Sequence, residues 1–174
     1  MSRDVILLPG YGGSARQPIL LSLSARLTPL GYACQRHAPP RGKLTPDLLS
    51  QTAWLAGLID GLGQRPVLIG RSFGGRICAR VAALREVEAL VLLGFPIRPP
   101  GRPRPLDEAA LAQVRCPTLV VQGDRDELGP LPVIRRSVEG NRLVALHVVE
   151  GTGHDFGKHT AAALDTVVSW LAHV

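Results

Sequence analysis

The sequence predicts a three-layer α/β sandwich, a mainly parallel sheet with helices on both faces. Three observations lead there. Short, wholly apolar runs such as Val5-Ile6-Leu7-Leu8, Val67-Leu68-Ile69 and Ala89-Leu90-Val91-Leu92-Leu93 have the character of strands covered on both sides. Six strand-like segments alternate with segments of helical periodicity, the order that builds parallel sheets with crossover helices. The glycine-rich and polar loops follow the strands, at the carboxyl edge where such sheets gather their ligands. With 174 residues, 45% of them hydrophobic, the chain is read as one domain over residues 1–174 with a sizeable core.

Asp4–Leu8 is the first strand and ends in Pro9-Gly10-Tyr11-Gly12-Gly13-Ser14. A helix over Pro18–Leu30 carries Ile19, Leu20, Leu23, Leu27 and Leu30 on one stripe, and Gly31 stops it. Tyr32–His37 is the second strand. Thr45 is expected to cap the next helix with Pro46 at its first position, and Leu48, Thr52, Leu55, Ile59 and Leu62 form its inner face. Pro66–Gly70 is the third strand and Gly75–Leu84 the helix after it. Ala89–Leu93 is the fourth strand. The segment Gly94–Pro105 is too proline-rich for a helix, so only Asp107–Gln113 is helical before the fifth strand, Thr118–Gln122. A helix over Pro132–Val138, a sixth strand over Leu143–Val149 and a last helix from Thr160 complete the chain. Leu164, Val167, Val168 and Leu171 face inward on that last helix.

Composition excludes several functions. No stretch approaches the roughly 20 apolar residues of a membrane span, and Met1-Ser2-Arg3-Asp4 opens without a signal-peptide pattern, so a cytoplasmic protein is expected. Cys34, Cys78 and Cys116 are dispersed with no C-x-x-C pair, which points to reduced thiols and no zinc site, with Cys78 and Cys116 packed in the interior. The net charge of +6 comes mostly from scattered arginines without interleaved aromatics, so no nucleic-acid partner is expected.

The chemistry centres on Gly70-Arg71-Ser72-Phe73-Gly74, a G-x-S-x-G sequence between a buried strand and a helix. A turn this sharp holds its serine in a strained conformation, and a Cβ at either glycine would collide with the neighbouring backbone. A base must follow. Among five histidines, His154 stands in Gly151-Thr152-Gly153-His154 directly after the last strand, with His159 second. His147 lies in a strand pattern, His173 at the C-terminus, and His37 before the serine. The imidazole needs an orienting carboxylate. Asp126, three residues beyond Gly123, suits that role, whereas Asp124 reads as a turn residue bonding its own backbone and Asp155 is too close to His154 in the chain. The oxyanion of an acyl-transfer intermediate would be met by the Phe73 N–H and by the Tyr11 N–H, or else that of Gly12, from the first glycine-rich loop. A phosphate cradle would need a Lys-Ser/Thr pair after that loop, which Ser14-Ala15-Arg16 does not supply.

Over essentially its whole length the chain resembles an α/β-hydrolase. In particular it is similar to the small dienelactone-hydrolase-like group that includes the testis-expressed and NSL-complex hydrolase-like proteins of animals. Gly70-Arg71-Ser72-Phe73-Gly74-Gly75-Arg76, Gly94-Phe95-Pro96-Ile97-Arg98-Pro99-Pro100-Gly101-Arg102-Pro103 and Val121-Gln122-Gly123-Asp124-Arg125-Asp126 carry the resemblance. It implies a Ser72, Asp126, His154 triad and a minimal sheet in the order 2-1-3-4-5-6 without the antiparallel first pair. It also implies a lidless site, since no long insertion follows the fourth strand. The first loop opens Pro9-Gly10 where many relatives carry His-Gly.

These readings together predict a serine hydrolase of small or extended carboxylic esters or thioesters, acting through an acyl-enzyme without metal or organic cofactor. The competing expectation is a catalytically silent interaction protein on the same fold. Arg71, beside the nucleophile, and Arg98, in the proline-rich loop, are candidate contacts for an anionic acyl group. The other expectation for Arg71 and Arg76 is structural ion pairing.

Overall fold

The computed structural model describes residues 2–174. Six strands alternate with six helices: β1 (Arg3–Leu8), α1 (Pro18–Leu27), β2 (Tyr32–Arg36), α2 (Leu49–Asp60), β3 (Val67–Arg71), α3 (Phe73–Ala82), β4 (Ala89–Leu93), α4 (Pro105–Gln113), β5 (Thr118–Gly123), α5 (Leu131–Ser137), β6 (Val144–Val149) and α6 (Thr160–Leu171). The strands form one sheet in the order β2-β1-β3-β4-β5-β6. Every neighbouring pair is parallel.

The apolar runs are explained by a core on each face. Ile6, Leu8, Leu68, Leu90, Leu92 and Val120 point to the side covered by α2, α3, α4 and α5, where they meet Leu55, Ile77, Leu111 and Ile134. The alternate residues Val5, Leu7, Val67, Ile69, Val91, Leu93, Leu119 and Val121 point to the other side, against Leu20, Leu23 and Leu27 of α1 and Leu164, Val167 and Leu171 of α6. With side chains alternating across the pleat, only a sheet buried twice needs both sets apolar. Among the described residues, no helix is long and apolar enough to cross a membrane.

Strand order reverses between β1 and β3, because the chain leaves β1 toward β2 on one side and returns to β3 on the other. Loops diverge at such a switch point and leave a crevice at the carboxyl ends of the strands. The glycine-rich loop after β1 and Ser72 after β3 flank that crevice.

Helix ends depart from expectation in places. α2 starts at Leu49 and its N-cap is Leu48, at a left-handed φ of 52°, with no side-chain cap. Thr45 instead donates its hydroxyl to Asp47 Oδ1, which also accepts the Leu49 amide. Burial of Leu48 at the base of the helix outweighs the capping preference of Thr45. α1 ends at Leu27 and passes through a 3-10 turn, Thr28–Leu30, before Gly31 reverses the chain at φ 89°. Leu30 consequently leaves the inner stripe and is exposed.

Candidate active site

β3 delivers Ser72 at φ 48° and ψ −112°, which also makes it the N-cap of α3. A non-glycine residue held there stores about 1–3 kcal/mol of strain. The surroundings enforce it. A Cβ on Gly70 would overlap the backbone of Gly74 and Gly75, and one on Gly74 would lie 2.6 Å from the carbonyl oxygens of Leu8 and Pro9. The Ser72 amide donates to Leu93 O at 2.9 Å and the Gly74 amide to Pro9 O at 3.0 Å, tying the turn to β4 and to the glycine-rich loop. Ser72 Oγ therefore projects from the sheet edge at the positive end of α3.

His154 arrives from the loop after β6. Its Nε2 lies 2.8 Å from Ser72 Oγ and its Nδ1 2.9 Å from Asp126 Oδ2. A carboxylate oxygen only accepts, so Nδ1 carries the proton and Nε2 presents its lone pair to the serine hydroxyl. Asp126, 3% exposed, is held from three sides. Its Oδ1 accepts the Leu128 amide at 2.9 Å, and its Oδ2 accepts the Gln122 side-chain amide at 2.7 Å in addition to the imidazole. Gln122 is fully buried at the end of β5 and also bonds Gly129 O and the Phe95 amide. Sequence reading had not singled it out. Its signal was a lone amide closing an otherwise apolar strand.

Asp124 reaches beyond its own turn and accepts the Thr152 amide at 3.1 Å. Backbone amide donors, Gly151 first and then Thr152, hold its carboxyl below the usual carboxylate range. The Arg125 amide returns a bond to Thr152 O at 2.9 Å, so the loops bearing Asp126 and His154 are stitched together. His159 sits apart, in the 3-10 turn Gly157–His159 before α6.

Phe73 opens α3, where the first amides of a helix have no intrahelical acceptor. Among the described residues, neither the Phe73 nor the Tyr11 amide finds a backbone acceptor outside the regular elements. The exposed Tyr11 ring stands edge-on to Phe73 at 5.7 Å. Between this loop and the segment after β2 lies a cleft of about 370 Å³ walled by Tyr11, Gly12, Pro39, Pro40, Leu44 and Phe73. Among the described residues, no group of three His, Cys, Asp or Glu side chains is arranged to hold a metal.

The two arginines do not sit as the anionic-substrate expectation required. Arg71 is 6% exposed and its guanidinium bonds Leu93 O and the Asp155 carboxylate, so the ion-pair alternative describes it. Arg98 pairs with Glu108, and the cleft beside it, lined by Pro99, Pro100, Arg102, Glu127 and Pro130, contains none of Ser72, Asp126 and His154. Arg76 follows the same logic: with Arg80 it brackets the fully buried Asp107. Of these pairs only those of Asp107 are closed to water, whereas the Asp155 carboxylate and the Arg98 guanidinium stay open to it.

A sequence profile of the alpha/beta hydrolase domain matches residues 32–171, well over half of the chain. The chain belongs to the α/β-hydrolase family. This α/β-hydrolase is similar in structure to Est1E from Butyrivibrio proteoclasticus, with a TM-score of 0.82 at 18% identity over 99% of this chain and 88% of that one. An alpha-beta serine hydrolase homologue from Coxiella burnetii gives 0.80 at 24% identity, covering 98% and 86% of the two chains. Dienelactone hydrolase from Anabaena variabilis gives 0.75 at 24% identity, covering 99% and 86%. At these identities the likeness speaks for the fold alone.

Proposed function

We propose that this α/β-hydrolase is a serine hydrolase that cleaves a carboxylic ester or thioester through an acyl-enzyme. The observation that carries the reading is the continuous relay from Ser72 Oγ through His154 to the buried Asp126, with links of 2.8 and 2.9 Å. In the first half-reaction Ser72 Oγ attacks the carbonyl carbon as His154 Nε2 takes the hydroxyl proton. The oxyanion forms against the Tyr11 and Phe73 amides, and Asp126 balances the imidazolium. His154 then gives its proton to the departing alkoxide or thiolate. A water entering along the same path is deprotonated by His154, attacks the acyl carbon and frees the acid and Ser72.

The cleft beside Tyr11 and Phe73 receives one arm of the substrate. Its proline, leucine and aromatic walls suit a compact apolar group, and about 370 Å³ is at the small end of ligand pockets. The connection from Leu93 at the end of β4 to Pro105 at the start of α4 is too short to form a lid, which favours small or extended esters over long triacylglycerols.

The test is labelling of the purified protein with a fluorophosphonate probe, read by intact mass, beside Ser72→Ala. One adduct per chain, absent from the variant, is expected, together with hydrolysis of short-chain p-nitrophenyl esters. Folded wild-type protein that takes no label overturns the reading and returns the weight to a binding role.

A further inference from the structure

We infer that Arg71 is the positioning residue of the site, a buried clamp that fixes His154 relative to Ser72; the inference rests on the serine-hydrolase reading above. Arg71 and Ser72 are consecutive at the end of β3, and both grip the same histidine. Ser72 meets its ring, whereas Arg71 Nη2 donates to its backbone carbonyl at 2.9 Å. Arg71 Nη1 also lies 3.4 Å from His154 Nε2, the atom that faces the serine hydroxyl. The remaining donors of the two terminal nitrogens go to Leu93 O at 3.1 Å and Asp155 Oδ1 at 2.7 Å. One planar fork thus spans the ends of β3 and β4 and the loop after β6.

The cavity for this fork is built into the fold. Gly94, directly after β4, adopts φ 60°, and a Cβ there would overlap the Arg71 guanidinium and lie 3.1 Å from His154 O. Phe156 closes the opposite side, its ring centroid 5.8 Å from the guanidinium carbon. Lysine could not reproduce the clamp, because one ammonium cannot reach both a strand-end carbonyl and the histidine backbone in a single plane. The bonds of Thr152 to Asp124 and Arg125 tie this loop two residues upstream of the base, and a displacement of about 1 Å at a base costs on the order of a hundredfold in rate. Arg71 ties the backbone of His154 itself.

Asp155 is the minor partner. Its side chain is 92% exposed while that of Arg71 is 8% exposed, so water competes for the carboxylate but not for the guanidinium.

The experiment compares wild type, Arg71→Ala, Arg71→Lys and Asp155→Asn by steady-state p-nitrophenyl ester hydrolysis, fluorophosphonate labelling rate and proton NMR of the Nδ1–H shared by His154 and Asp126. Arg71→Ala is expected to lose kcat and labelling rate about 10–100-fold with KM within about twofold, and millimolar guanidinium restores part of the loss. Its Nδ1–H resonance broadens or disappears. Arg71→Lys falls at least about fivefold, and Asp155→Asn stays within about twofold of wild type. Wild-type kcat in a folded Arg71→Ala overturns the inference, as does a loss without guanidinium rescue and with an unchanged Nδ1–H resonance. If Arg71→Ala does not fold, Arg71→Lys decides the matter by the same kcat and resonance criteria. Unlabelled wild type would sink the hydrolase reading alone, since the Nδ1–H resonance still reports whether Arg71 holds the ring.

Discussion

Two buried carboxylates of this molecule face opposite situations. Asp107, on α4, is enclosed by the Arg76 and Arg80 guanidiniums at 2.6 and 2.7 Å, and its side chain has no exposure. Asp126, whose side chain is equally buried, is met by neutral donors only: the Gln122 and Leu128 amides and the His154 ring. A carboxylate already balanced by two cations has no field left for a charge that appears during a reaction. One held by neutral dipoles keeps its charge uncompensated, aimed at the imidazole. The first arrangement fastens α4 to α3, and the second leaves a site that can answer a transient cation. Solvent access follows the same division, since His154 retains 24% side-chain exposure whereas Arg76 and Arg80 retain 11% and 9%.

The sharpest way to break the contrast is Asp126→Asn, which keeps the shape and removes the charge. It is expected to lower kcat on the order of 10⁴-fold while changing unfolding free energy by only about 1 kcal/mol, measured by ester hydrolysis and urea denaturation on the same preparation. Loss of stability with retained turnover would erase the distinction. Asp107→Asn should do the reverse. Two buried guanidiniums left without their carboxylate cost about 3–5 kcal/mol, with kcat per folded molecule within about twofold of wild type. Gln122→Leu sharpens the comparison from the neutral side. It strips Asp126 of one donor and leaves the buried Phe95 amide and Gly129 carbonyl short of a partner, for an expected loss of about 1–3 kcal/mol and a fall in kcat of about tenfold.

The smallest effect concerns the exposed Asp124. Its carboxyl is depressed by the Gly151 and Thr152 amides, so it binds protons more weakly folded than unfolded. Its contribution is therefore complete above the unfolded value of about 3.9 and is lost as pH falls through the lower folded value. Asp124→Asn should therefore be slightly less stable than wild type near neutrality, where that contribution is complete, and should converge on wild type as pH falls through the folded value, giving a shallower acid-unfolding curve. An acid-unfolding curve that superimposes on wild type would show that the bond to Thr152 contributes nothing to stability.

How much was legible beforehand differs between elements. The strands could be read because a sheet covered on both faces demands unbroken apolar runs, and Val5–Leu8 and Ala89–Leu93 have no other plausible use. Ser72 could be singled out because Gly70 and Gly74 are required by close backbone contacts that no other residue tolerates. Arg71 and Arg98 were harder. A guanidinium next to a nucleophile looks the same in sequence whether it meets a substrate or Asp155, and whether Arg98 faces Glu108 depends on how a proline-rich loop folds back onto α4. Gln122 was hidden for a related reason, since its role appears only when Phe95, from the loop after β4, meets Asp126 and Gly129 of the loop after β5. The Thr45 cap failed where a local preference lost to burial of Leu48.

Periodicity and glycine placement, local properties with local causes, were therefore enough to specify the layers, the order of Ser72, Asp126 and His154 along the chain, and the edge on which they gather. Which carboxylate stays uncompensated, which arginine is buried and what holds the histidine were settled only when distant segments met. A hydrogen bond or ion pair is worth most where water is excluded, and exclusion of water is a property of the packed molecule rather than of any stretch of its sequence.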